Sequence, residues 1–588
     1  MGRRSISFAV AAALAVASVL SAPGGAASAA STFTFYGSGY GHGLGMSQWG
    51  SEGLAQMGWS APKILTHFYR GTDVTTDPSL PAKVRIGLTD GRQKVHLTAQ
   101  GGPVRVWVGA PKAGTLVGAI PKGATWTIAA SDGDYLVKDG SGAVVGGQHW
   151  GSPAQDLFLT YADRGSRVFI PEADQIWGTG FAYGRGTIEF NLSACGGTTG
   201  CTERLIARLK LEQYLYGIGE VPASWPAAAL QTQAVAARTY AVYALQHYGL
   251  RAACNCNLSD GSGDQTYIGW NREAGADGDR WVAAVDVTAH QIVTYNGATI
   301  QAFYTASDGG HTENVEDAWH GGDPAYAIPW LRGVCDPGEW TSGNSWTDWN
   351  RTFDAATLTA RLAPYTGDIG TIAKMKSAVR GTSGRIITIV AKGDSGSATI
   401  SGSELRAGLG LPDDRVWVNS DRNIVGAIRV RYDKARCAPG LPTSALRDVS
   451  GGAQQFFQTG GIYRNSAKDL TLWLKGVLDA EYRTVGAAKG TLGVPASAVL
   501  RLGSKALGCT RCKRVDFVGG RIYWKDGVGA HALWGPVLAA YLVEGGASGH
   551  LGFPTSRVND ASGGGSGATF EHGTISCDAG GSCTVTSG

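Results

Sequence analysis

The spacing of apolar and polar residues changes several times along the chain, and those changes divide it. Residues 31–72 open with the glycine-rich run YGSGYGHGLGMSQWG and continue into two stretches of helical spacing, 51–57 and 61–69. From 83 to 191 short alternating runs such as VRIGL, VRVWV and TIEF are separated by Gly, Asp and Asn, the signature of strands joined by turns. Residues 211–248 return to helical spacing, 281–305 (AAVDVTAHQIVTYNGATIQAFYTA) read as strands, and 306–345 read as loop. Strands and short helices run on to about residue 432. The expected fold is α+β: a β-rich domain around an alanine-rich helix, followed by a small α+β repeat module.

The helical region carries the most pointed chemistry. Leu211, Tyr214 and Leu215 give a first helix one buried face, and Gly217 and Gly219 end it. Val221 precedes Pro222 and is pushed to an extended conformation. Pro226 suits the first position of the next helix, with Ser224 or Trp225 as its cap, and Gly249 suits its C-terminal end. Ala234, Ala237 and Ala241 give that helix a small-residue face. Glu220 is thus a lone acid in a kinked link among apolar groups. Desolvation there would raise its pKa and suit it to proton transfer. The following helix N-terminus favours the charged form, and the apolar contribution is expected to win. The alternative is a structural role, with Glu220 bonded to backbone amides at the helix start or paired with Arg238.

Composition adds a compartment. The chain has 588 residues, too many for one ordinary domain. At 43% hydrophobic and 17% charged, it can bury a core. Arg3 and Arg4, an apolar run at 8–20 and Ala27-Ser28-Ala29 form an export signal over residues 1–29. Its removal lowers the formal charge from +4 to +2, and no basic block or basic–aromatic patch points to nucleic acid. The ten cysteines fit an oxidising compartment. Cys195 and Cys201, Cys509 and Cys512, and Cys577 and Cys583 are near neighbours, while Cys254, Cys256, Cys335 and Cys437 remain, and the pairing stays open.

Past a proline-containing stretch read as a linker (437–450), the chain repeats itself. FFQTGGIYRN…GTLGVPASAV aligns with VDFVGGRIYWKD…GHLGFPTSRV, and ATFEHGTISC is a partial third copy. Units this small bind or space rather than catalyse. The expected division is export signal 1–29, catalytic domain 30–436, linker 437–450 and repeat module 451–588.

Several of these segments resemble a known family. LEQYLYGIGEVPASWPAAALQTQAVAARTYAVYAL, DQTYIG, TYNGATIQAFYTASDGGHTEN, WLRGVCDP, TSGRI and ISGSELRAGLGL are similar to the stage II sporulation protein D (SpoIID) family, which includes the LytB amidase enhancers. In most members GHGxGMSQxGA closes the domain, whereas here GHGLGMSQWG opens it. Chain ends often lie close together, so the transposed segment is expected to fold back beside Glu220. The resemblance implies a peptidoglycan lytic transglycosylase acting on glycan strands, especially those stripped of stem peptides. Glu220 would act as acid and then base, leaving 1,6-anhydromuramoyl ends. His42, Ser47, Gln48, Gln265, Tyr267, Ser307, Gly309, Gly310 and His311 would bind substrate, and Arg238 and Tyr240 would be supports. Some members hold zinc near the Gln-x-Tyr loop. Here Asp264 stands where a second loop cysteine would be, so Cys254 and Cys256 read as disulfide-forming and no metal or cofactor is expected. The repeats resemble LGFP repeats, which implies attachment to wall polysaccharide, with Tyr523, Trp524 and Trp534 as sugar platforms or core residues. The alternatives to catalysis are a non-catalytic, glycan-binding enhancer of a cell-wall amidase, and pure wall attachment.

Overall fold

In the computed structural model the described residues are 31–173, 178–197, 200–261, 263–341, 343–503 and 509–588. The proposed export signal lies outside them. With 24% helix and 37% strand in many small sheets, the fold is mixed α+β and β-rich. No helix among the described residues is long and apolar enough to cross a membrane.

The alternating runs form two sheets. The seven-stranded sheet has the order Leu258–Ser259, Lys83–Arg92, Gly200–Lys210, Thr187–Gly197, Leu157–Tyr161, Val104–Val108 and Thr115–Ile120. A five-stranded sheet contains Phe181–Tyr183, Arg167–Ile170, Lys94–Gln100, Thr125–Ala130 and Tyr135–Lys138. Every second residue points inward, so Val104, Val106 and Val108 join a core that also takes in the helical region.

Four helices frame the site: α1 (Gln48–Gln56), α2 (Ala61–Phe68), α3 (Leu211–Tyr216) and α4 (Ala227–His247). Helix α4 is buried on nearly every face, and α1, α2 and α3 all pack against it. Its alanines permit this, since small side chains let neighbouring backbones come close. The helix starts at Ala227, one residue later than the sequence implied. Pro226 occupies the N-cap position, and neither Ser224 nor Trp225 caps it with a side chain.

One segment read as strand is a helix. Gly278–Val287 is helical because Trp281, Ala284 and Val285, spaced i, i+3 and i+4, form the buried stripe. The run AAVDV satisfies both periods, and packing against α4 decides between them. The later stretch does form strands, at Gln291–Tyr295, Ala298–Thr299 and Tyr304–Thr305.

The N-terminal segment stitches distant parts together. Thr32–Gly37 pairs antiparallel with both Trp349–Asp354 and Val416–Val418. Met46–Ser47 then pairs in parallel with Tyr304–Thr305.

The C-terminal module is three four-stranded sheets in series. Each begins with a proline bridged to an aromatic residue: Pro442 to Phe457, Pro495 to Phe517 and Pro554 to Phe570. Each proline is followed two residues later by a serine (Ser444, Ser497, Ser556) whose hydroxyl accepts a backbone N–H from the next strand. The stretch read as a linker therefore contains the opening turn of the first unit, GLPTS at 440–444. Its degenerate letters hid a turn whose bonds are made mainly by backbone. That unit packs Phe457 and Ile462 on Ile424, Ile428 and Tyr432 of the preceding domain. The Cys335–Cys437 disulfide ties the junction to that domain. The other pairs are Cys195–Cys201, Cys254–Cys256, Cys509–Cys512 and Cys577–Cys583.

Candidate functional site

Glu220 sits on the wall of an open groove of about 560 Å³, together with Tyr40, His42, Gln48, Thr266, Trp319 and Arg406. The link that carries it is held from both sides. Gly219 N–H donates to the Thr266 carbonyl, and Ile218 bridges to Tyr267. Gly217 lies against the Tyr267 ring so closely that a Cβ there would collide with it. Further along, Trp225 packs on Trp49, and Arg280 donates to the Ser224 and Trp225 carbonyls.

The carboxyl itself is enclosed by donors. Its Oε1 accepts the Thr266 N–H at 2.5 Å, and its Oε2 accepts from Gln48 Nε2 at 3.3 Å. Burial pushes its pKa up, and these bonds, with one from Tyr304, pull it back only in part. The sequence-based expectation that desolvation would win therefore agrees in direction. Arg238 is not its partner. That guanidinium is fully buried, pairs with Glu212 at 2.7 Å and donates to the Gln291 and Val285 carbonyls.

The transposed segment folds back as expected, bringing Gln48 to Glu220 across 172 residues of sequence. Its glycines make the approach possible. Gly41 has φ +129°, and a side chain there would run into Thr305. His42 lines the groove against Trp319 and Phe303. Its Nδ1 accepts the Leu44 N–H at 3.0 Å. Burial, followed by the charge of Arg385, lowers its pKa to about 4, so it is a neutral wall residue near neutral pH.

The remaining expected contact residues lie behind the groove. Gln265 is buried, accepts from Tyr214 Oη and donates to Tyr304 Oη, both at 2.9 Å. It braces the tyrosine that bonds Glu220. Tyr267 is buried between Tyr214 and Tyr183. Ser47 caps α1 and donates to Glu339 at 2.7 Å; Ser307 donates to the same carboxylate. The Gly309 N–H also donates to Glu339, at 3.1 Å, and Gly310 N–H donates to Asp308 at 2.6 Å. These four surround a buried cluster in which Asp308, Asp336 and Glu339 bring carboxylate oxygens within 4.8 Å of one another. His311 faces a separate cavity. The resemblance implied that these residues line the groove, but the chain turns at Gly309 and Gly310 and directs these groups inward.

Sequence reasoning did not single out Tyr40, Thr266, Tyr304, Trp319 or Arg406 as site residues. Trp319 is 45% exposed beside His42 and Phe303, an aromatic face open to a ligand. Exposed aromatics are a usable signal only once the groove is known.

Asp264 also lines the groove. Its Oδ2 accepts from Arg251 at 2.5 Å and from Ser259 N and Oγ at 2.8 and 2.7 Å, and its Oδ1 accepts from Tyr240. Cys254 and Cys256 are bonded to each other nearby.

Residues 200–295 match the SpoIID family model, described as stage II sporulation protein, and residues 492–549 match the LGFP repeat. Stage II sporulation protein D of Bacillus subtilis is 27% identical over 216 residues, 35% of this chain and 59% of that protein. The amidase enhancer of the same organism is 34% identical over 107 residues, 18% of this chain and 13% of its own length. An uncharacterised protein of Brachyspira hyodysenteriae is 34% identical over 136 residues, 22% of this chain and 33% of that protein. The chain thus covers less than two thirds of each of these relatives. It carries a SpoIID domain, which includes Glu220, and an LGFP repeat. Together these similarities support a cell-wall related role.

Proposed function

We propose that the protein is a secreted peptidoglycan lytic transglycosylase, held at the wall by its repeats. The observation that carries this reading is a single desolvated carboxyl, Glu220, facing an open groove whose other described carboxylate, Asp264, is consumed in an ion pair. A hydrolase of the two-carboxylate type needs a second free acid. A transglycosylase needs one carboxyl that changes role. Glu220 donates its proton to the oxygen joining N-acetylmuramic acid to N-acetylglucosamine, and the C1–O bond breaks. The resulting carboxylate takes the proton of the muramoyl six-hydroxyl, whose oxygen closes on C1. No water is consumed, and the muramoyl end is a 1,6-anhydro sugar. Thr266 N–H and Gln48 steady the ionised form between the two transfers.

The test is digestion of amidase-treated peptidoglycan with the mature protein, read by mass spectrometry. Anhydromuramoyl products that vanish in Glu220→Gln are expected. Their absence from the wild-type digest, or their persistence in the variant, refutes the assignment. The similarity to an amidase enhancer gives a second reading, in which the groove binds glycan without cutting it. In that case a cell-wall amidase is stimulated equally by the wild type and by Glu220→Gln.

A further inference from the structure

His311, placed in the groove by its motif, opens instead into a cavity of about 770 Å³ that shares no lining residue with the groove. This cavity lies between α2, the loop around Cys335 and the end of the helix Gly426–Lys434, where the catalytic domain leads into the repeats. Lys63, Arg70, Lys434 and Arg436 stand around it, all exposed. No ion pair neutralises any of the four among the described residues. The acid in the lining, Asp433, is taken by Arg429 at 2.8 Å.

The arrangement is concave and braced. His67 bonds the Cys335 carbonyl through Nε2 at 2.9 Å, and Cys335 is bridged to Cys437. Trp59 forms an aromatic wall, with the Lys63 ammonium 4.0 Å from its ring centre and His67 at its edge. Arg70, Arg436 and Lys63 all act on the His67 imidazole to disfavour its charged form, so their charges gather around one point. Like charges brought together in a concavity repel one another and focus an attractive field for anions. Four such charges exceed what one monovalent ion needs. Guanidinium forks suit phosphate or carboxylate oxygens, and a partly exposed indole suits the face of a sugar ring.

We propose that this cavity is a second binding site, separate from the catalytic groove, for an anionic polysaccharide whose units carry phosphodiesters or carboxylates. It lies beside the first repeat, so it extends the surface by which the protein grips its surroundings. The proposal does not depend on the transglycosylase reading.

The test is titration calorimetry on the full chain carrying Glu220→Gln, which leaves the cavity untouched. The probes are an oligo(glycerol phosphate), an oligogalacturonate and a neutral dextran of matched length. At least one anionic probe should bind, more weakly as salt is added. Whichever binds identifies phosphate or carboxylate as the anion. Adding Arg70→Ala and Arg436→Ala should weaken binding about tenfold or more, the worth of one or two charge-assisted bonds. The Arg70→Lys, Arg436→Lys pair should retain much of it, and both pairs should keep the melting temperature. The proposal is overturned if dextran binds as tightly, if neither anion binds, or if the alanine pair binds like its parent.

Discussion

Ser47 and Gln48 are adjacent in sequence, yet they serve two different acid sites. Gln48 donates to Glu220 in the groove, and Ser47 donates to Glu339 in the sealed cluster with Asp308 and Asp336. Burial raises the pKa of Glu220, and it raises those of Asp308 and Asp336 further, with the neighbouring carboxylates adding to the effect. Desolvation alone therefore does not mark an active acid. The difference is access. Glu220 faces a cavity large enough for sugar units, whereas Asp308 Oδ2 and Asp336 Oδ2 are closed off with no hydrogen-bond partner. The cluster joins the N-terminal segment, the SDGG turn and the loop after Cys335, since Ser47, Ser307 and Gly309 all donate to Glu339.

A crossed pair of substitutions separates the roles of the two acid sites. Glu220→Gln should lower product formation by about 10²–10⁴-fold, the range for a lost general acid, with little change in stability. Glu339→Ala strands the donors of Ser47, Ser307, Gly309 and Asn344. It should cost about 3–5 kcal/mol in urea denaturation, as breaking a buried charged network does. If Glu339→Ala melts like wild type, or Glu220→Gln unfolds, the two sites have been assigned the wrong way round.

The Glu220 site was largely legible because its signals are local. Two glycines, a Val-Pro step and an alanine-rich helix can be read from neighbouring letters, and the structure sets the acid in such a link. The return of GHGLGMSQWG to its side followed from the resemblance, not from spacing. The acid cluster was not legible. Asp308, Asp336 and Glu339 come from two loops, and nothing in SDGG or CDPGE states that the chain turns both inward. The same turn misplaced Ser307, Gly309, Gly310 and His311. The helix at Gly278–Val287 was missed for another reason, since five residues fit two periods equally and only packing on α4 separates them.

Titration should sharpen the contrast further. In the proposed reaction Glu220 starts out protonated, so the cleavage rate should fall as pH rises through a value above the ordinary carboxylate range. Stability should fall over a wider span. Glu203 is buried with both oxygens unpartnered, and burial pushes it up to about 9. Its folded form holds the proton more tightly than the unfolded chain. Its contribution is therefore fully present below about 4.5, the unfolded value, and lost as pH climbs through about 9. Glu203→Gln should flatten the alkaline stability loss and leave the rate profile unmoved. A rate profile that shifts with Glu203→Gln would mean that global unfolding, not Glu220, sets the alkaline limb.

The finest test separates the two adjacent residues. The Gln48 bond favours the ionised form of Glu220, so Gln48→Leu should move the alkaline limb of the rate profile upward. In the proposed reaction it also removes a donor that steadies the carboxylate between two proton transfers, so kcat should fall by about tenfold, the worth of one such bond. Its melting temperature should change little, because the side chain makes long bonds of 3.3 and 3.4 Å to Glu220 and Gln233. Ser47→Ala should do the reverse. It removes both the cap of α1 and the 2.7 Å bond to Glu339, costing about 1–3 kcal/mol, with no movement of the pH limb. Equal shifts of the limb in both variants would show that the segment acts as one rigid unit. One-sided shifts would show that two neighbouring side chains, pointing opposite ways from one backbone, separate the chemistry from the scaffold.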